Sequence, residues 1–110
     1  MANYFDSNDL GKFGNIGRVN KDLSDKFFDY YNSTMKAGAL SEREKALIAL
    51  AVSHAMKCPY CIDAYTSTCL EKGADEEQMS EAVHVAATMV AGITLVHSVQ
   101  MMNKIDKLSI

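Results

Sequence analysis

Two cysteines set two residues apart, in Cys58-Pro59-Tyr60-Cys61, are the residues of this chain whose types and spacing point most directly to chemistry. In the first turn of a helix such a pair brings its Cα atoms within the ~4.4–6.8 Å that a disulfide requires, so the thiols can open and close without moving the backbone. The same place lies at the positive end of the helix dipole, which favours an anion and can lower a thiol from ~8.5 into the range ~3.5–7.5. The thiolate is the nucleophilic form, so the pattern predicts redox chemistry at cellular pH. Half of a zinc site has the same spacing, but a structural zinc takes four Cys or His ligands, usually as two close pairs, and the sequence offers no second pair near a turn. Neither a metal nor a cofactor is expected.

Other residues gain interest from their distance to this pair. His54 precedes Cys58 by four residues and can face the thiols as a proton acceptor; the alternative is a satisfied, half-buried histidine. Tyr65 falls one turn after Cys61 on the same helical face, where its phenol can donate a hydrogen bond or simply pack. Tyr60 reads as packing, and His84 and His97, each within an apolar helical stretch, read as core or interface. The third thiol, Cys69, lies eight residues beyond Cys61, a rise of ~12 Å along a helix, and is expected in the core.

Stepping out from the pair, the elements that must position it are all helical. The 110-residue chain has a single proline, no strand-like alternation, and apolar residues at helical spacing, so a single all-α domain over residues 1–110 is expected. Leu23, Phe27, Tyr31 and Met35 mark a first helix from about Lys21 to Lys36, stopped near Gly38. Ser41 and Glu44 form a capping box opening a second, central helix through Val52. Pro59 must break that helix at Cys58 and start a third at its first position, running to Gly73. Asp75 through Gln78 opens the last helical region, with a kink expected near Gly92. The segment through Gly17 reads as a short helical turn plus loop.

Composition narrows the partners. A net charge of −3 without adjacent basic residues leaves no footprint for nucleic acid or an anionic membrane. The longest apolar window, 86–96, falls short of the ~20 residues of a membrane span and reads as a buried helix. The N-terminus lacks a basic then apolar pattern, so a cytoplasmic location is expected, where three cysteines favour catalysis or redox sensing over structural bridges. With 48% hydrophobic residues, a chain this short is expected to oligomerise.

The run Leu40-Ser41 to Val52, with Arg43-Glu44-Lys45-Ala46 inside it, followed by Cys58-x-Tyr60-Cys61 and Lys72-Gly73-Ala74, resembles the carboxymuconolactone decarboxylase and alkylhydroperoxidase D-like superfamily over about residues 40–102. More narrowly, Asp9-Leu10-Gly11-Lys12-Phe13-Gly14 together with Cys58 through Tyr65 is similar to the arsenosugar biosynthesis-associated peroxidase-like proteins. The resemblance implies an alkylhydroperoxidase D-like helical bundle, a homotrimer or homohexamer, and thiol peroxidase chemistry in which Cys61 attacks and Cys58 resolves. It also implies a peroxide or disulfide substrate and a protein electron donor. The peroxidase relatives carry a glutamate and a histidine as a proton relay where this chain has Ala46 and Tyr65. The decarboxylase branch uses no dithiol, so the cysteine pair argues against a lactone substrate. The rival expectation is a non-enzymatic thiol site for a soft metal or metalloid such as arsenite, which two or three thiolates hold well; Cys69 of a neighbouring subunit facing the pair would complete a three-thiol site.

Overall fold

The computed structural model describes residues 6–109. It opens with a 3₁₀ helix, Ser7–Arg18, whose length of 12 residues far exceeds the usual run of three or four. The cause is a triplet pattern, Asp9-Leu10-Gly11, Lys12-Phe13-Gly14, Asn15-Ile16-Gly17. A 3₁₀ helix has three residues per turn, so residues i and i+3 eclipse. Here one row is glycine and has nothing to eclipse; a second is Leu10, Phe13 and Ile16; the third is polar, with Lys12 Nζ 2.8 Å from Asp9 Oδ1. The expectation of a short helical turn plus loop is therefore corrected: a 3.6-residue period does not register a three-residue one.

Five α-helices follow among the described residues. α1 (Lys21–Met35) starts at Asn20, whose side chain accepts the Leu23 N–H at 3.1 Å. Its last carbonyls are met by a cation from the next helix, Lys45 Nζ lying 2.6 Å from the Thr34 oxygen and 2.5 Å from that of Lys36. α2 (Glu42–Ala55) carries the expected capping box, with Ser41 and Glu44 exchanging bonds of 3.0 and 2.8 Å. It ends in a left-handed residue, Lys57 at φ 55°, and the extended Cys58 before Pro59. α3 (Pro59–Glu71) closes at Gly73, φ 90°, as a glycine C-cap. α4 (Glu76–Val96) has a second capping box, Asp75 with Gln78. α5 (Ser98–Leu108) completes the chain.

The break in the last region falls at His97, not near Gly92. α4 continues without interruption through Gly92, where an added Cβ would meet nothing within 4 Å. At the true break His97 Nδ1 donates to the Ile93 carbonyl at 2.8 Å and Ser98 Oγ to that of Leu95 at 2.5 Å, side chains competing for helix acceptors.

α2 is the central element, packed on both α3 and α4, while the 3₁₀ helix rests on α1 and α3. The core they share is small: Ala46, Leu50, Cys69 and Ala74, with Leu47, Tyr65 and Met79 packed against it. Of the apolar residues at helical spacing on these last helices, Val90, Ile93, Val96 and Met102 are exposed, Met79, Ala82 and Val83 half-buried, and only Ala86 buried. The radius of gyration, 18.9 Å, compares with about 13 Å for a compact domain of this length. Residues 76–108 together are also long and apolar enough to cross a membrane by length and composition, and only 6% of their most apolar 18-residue window is buried. The window read from sequence understated this face, because one break at His97 does not interrupt it.

Candidate active site

The α2–α3 junction builds the site. Helix α2 cannot continue through Pro59, so the chain turns at Lys57 and Cys58 N–H returns to the Ser53 carbonyl at 2.9 Å. That turn leaves Cys58 as the N-cap of α3, a place where side-chain oxygens usually serve. Its sulfur takes that role, accepting the Cys61 N–H at 3.4 Å. The two sulfurs lie 2.7 Å apart, both half-buried, and all three cysteines are free thiols.

The sulfurs are electrostatically unequal. The hydrogen bond between the two thiols, with the amides of Cys61 and Tyr60, pulls the Cys58 thiol below its ordinary value. Burial, then the bond and charge of Cys58, push Cys61 up to about 11; a side-chain hydrogen bond with Ser53 opposes this. Cys58 is thus the first of the pair to ionise, and Cys61 keeps its proton to higher pH.

A cavity of about 550 Å³ opens over the dithiol. Cys58, Tyr60, Cys61, Ala64 and Tyr65 form its α3 side, Phe27 and Tyr31 its α1 side, and the apolar row Leu10, Phe13 and Ile16 its roof, with Asp9 and Lys12 also lining it. Aromatic contacts clip the roof down: the Phe13 ring lies 5.1 Å from Phe28 and 6.0 Å from Phe27. Gly17 lets the roof approach α1, since a Cβ there would meet Ser24 Oγ at 2.9 Å.

Of the expected site residues, the structure gathers Cys58, Cys61 and Tyr65. His54 is not among the residues lining this cavity; its Nδ1 donates to the Leu50 carbonyl, 2.8 Å away, within its own helix. A position four residues before Cys58 shares its face only if the helix continues, and Pro59 ends it. Tyr65 instead meets Tyr31 of α1, hydroxyl to hydroxyl. Ala46 is fully buried, in the cluster against which Tyr65 packs. Cys69 is also fully buried in that cluster, and burial raises its thiol. Among the described residues no three His, Cys, Asp or Glu side chains come together as a metal site.

Sequence reasoning missed Ser53, Tyr31 and the roof. Tyr31 was visible only as one of a fourfold apolar series, and Ser53 had no motif. The triplet glycines were the available signal for the roof.

The profile of the carboxymuconolactone decarboxylase family matches residues 21–104. The chain is 35% identical over 95 residues, 86% of each chain, to "Uncharacterized protein 4 in cox locus" of Paracoccus denitrificans. Its fold is similar to the crystal structure of a protein from Methanobacterium thermoautotrophicum, with a TM-score of 0.73 and 30% identity over 76% of this chain and 94% of that one. The broad resemblance thus holds. The narrower likeness to arsenosugar-associated proteins leans on residues 9–14, which precede the matched stretch.

Proposed function

The chain belongs to the carboxymuconolactone decarboxylase family, and we propose that it is a dithiol oxidoreductase that reduces a peroxide or a disulfide with Cys58 and Cys61. The observation that carries this reading is the placement of two free, electrostatically unequal thiols 2.7 Å apart on the wall of an apolar cavity. In the peroxide case Cys58, as thiolate, takes the proton of Cys61, and the freed Cys61 sulfur attacks the outer oxygen of R–O–O–H. The O–O bond breaks, Cys61 becomes the sulfenic acid, and one alkoxide or hydroxide leaves and gains a proton. Cys58 thiol then condenses with the sulfenic acid, giving the disulfide and water. Two electrons have passed from the sulfurs to the peroxide. In the disulfide case the Cys58 thiolate attacks directly and Cys61 resolves the mixed disulfide.

A three-thiolate arsenite site would need Cys69, which sits in the core of its own chain with no exposed surface. That favours redox chemistry. A protein dithiol in the cytoplasm would return the pair to its reduced state. The bare face of α4 and α5 supports assembly of several copies, three or six by resemblance, in place of a lipid contact. The roof and α1 hold the cavity within one chain, so each copy carries its own site.

The deciding experiment counts free thiols before and after one equivalent of hydrogen peroxide or an aromatic disulfide. Loss of two thiols, recovered with dithiothreitol and located to Cys58 and Cys61, is the expected result. Three unchanged thiols under both oxidants would end the proposal.

A further inference from the structure

Attack on a peroxide leaves an oxygen anion that requires a proton, and the thiol pair cannot supply it without giving up the proton Cys58 needs for resolution. The two tyrosines stand in the right place. Tyr65 is one turn beyond Cys61 on α3, and its hydroxyl meets that of Tyr31. Both line the dithiol cavity, and both also line a second cavity of about 550 Å³ on the other side. The tyrosine pair is therefore the partition between an apolar chamber and one walled by Asn32, Glu42, Thr68 and Lys72. The second chamber reaches solvent, since its Lys72–Glu42 ion pair, 2.6 Å long, is about two-fifths exposed.

We propose, building on the dithiol reading, that Tyr65 is the proton donor to the departing oxygen, that Tyr31 is the positioning residue that holds and resupplies it from the second cavity, and that the oxidant is accordingly a peroxide. The ledger closes with one proton: Cys61 thiol, Cys58 thiolate, R–O–O–H and the phenol proton give the disulfide, R–O–H and water. Tyr65 phenolate then takes the Tyr31 proton, and Tyr31 takes one from water in the second cavity.

Acidity decides between the two oxidants. An ordinary phenol titrates near ~10, and burial together with the Tyr31 hydroxyl raises Tyr65 further. It is a poor base at neutral pH but still a stronger acid than water at ~15.7, so transfer to hydroxide or an alkoxide runs downhill. A leaving thiolate, whose acid titrates near ~8.5, would gain nothing from it. The other ionisable groups on the chamber are Cys58, Cys61, Tyr60, Asp9 and Lys12, of which Lys12 is held by Asp9 and its side chain is mostly exposed.

The test uses Tyr65→Phe and Tyr31→Phe, with circular dichroism verifying the fold and stopped flow following dithiol oxidation by four oxidants. With hydrogen peroxide or cumene hydroperoxide, Tyr65→Phe should slow the reaction by about 100-fold and Tyr31→Phe by about tenfold. With peracetic acid, whose carboxylate leaves unprotonated, and with an aromatic disulfide, both variants should stay within about threefold of the parent. Parental peroxide rates in both variants would overturn the relay while leaving the dithiol reading intact. Equal loss toward all four oxidants would assign the tyrosines a packing role instead. A parent oxidised by none of them would remove the dithiol reading and the relay together.

Discussion

Cys58 Sγ lies 2.7 Å from Cys61 Sγ while accepting the Cys61 backbone N–H at 3.4 Å, so one sulfur both caps helix α3 and pairs with the other thiol. The sulfur expected to resolve is therefore the first to ionise, and the sulfur expected to attack is the one that burial keeps protonated. Both roles survive if the attacking thiol loses its proton to its neighbour at the moment of reaction.

The first prediction concerns pH. A thiol whose value lies below ordinary stays reactive below ~8.5 and falls silent only as pH drops through its lowered value. Iodoacetamide should thus modify Cys58 first, and Cys61 only as pH approaches about 11. Cys61→Ala removes the largest stabilising bond to the Cys58 thiolate, so its alkylation midpoint should move up in pH. Peptide mapping across pH reads both midpoints, and a Cys61-first pattern would reverse the charge assignment.

Oxidised protein should contain a Cys58–Cys61 disulfide and a Cys69 thiol. Cys69 is fully buried beside Leu50 and Ala46, without access to the pair. Mass spectrometry of the non-reduced digest distinguishes this from any bridge that includes Cys69.

The three roof glycines should respond differently to alanine. Gly17→Ala forces a Cβ to 2.9 Å from Ser24 Oγ, and the overpacking should cost about 1–3 kcal/mol. Gly11→Ala and Gly14→Ala meet nothing within 4 Å and should change stability by less than about 1 kcal/mol. Denaturant melts of the three variants provide the comparison.

Restoring a carboxylate at residue 46 should harm the protein before it helps catalysis. Ala46 has no exposed surface, so Ala46→Glu buries an unpaired charge at a cost of about 3–5 kcal/mol. The double change with Tyr65→His should cost less than the sum, because the imidazole can pair with the carboxylate. A double-mutant cycle by urea denaturation measures the coupling, and strict additivity would mean that the two side chains do not meet.

Ile93→Asp should shift the assembly toward monomers. Ile93 is half exposed on the long apolar face of α4, where a charge would have to be desolvated by any second copy. Light scattering without detergent should return a multimer for the parent and a smaller mass for the variant. A monodisperse parental monomer would leave this face without the partner proposed for it.

The helices were legible because their signals are local. Capping at Ser41 and Asp75, the proline stop before Pro59 and the glycine at Gly73 each act within one turn of chain, so the cysteines' place at the start of α3 could be read directly. His97 was missed as the last break because its bond to Ile93 competes with the helix only once the side chain is placed.

The sequence by itself determined the all-helical class, the family, and two thiols one turn apart, since spacing and backbone stereochemistry settle those. Tertiary structure decided what faces them. His54 lies on α2 and Tyr31 on α1, yet only Tyr31 lines the chamber, because α2 ends at the turn through Lys57 while Tyr31 meets Tyr65 of α3. The roof depends on Phe13, Phe27 and Phe28 meeting across two elements, and the unequal acidity of the two thiols depends on their 2.7 Å approach. Burial, approach and charge are properties of neighbours brought together from distant parts of the chain, and no local period encodes them.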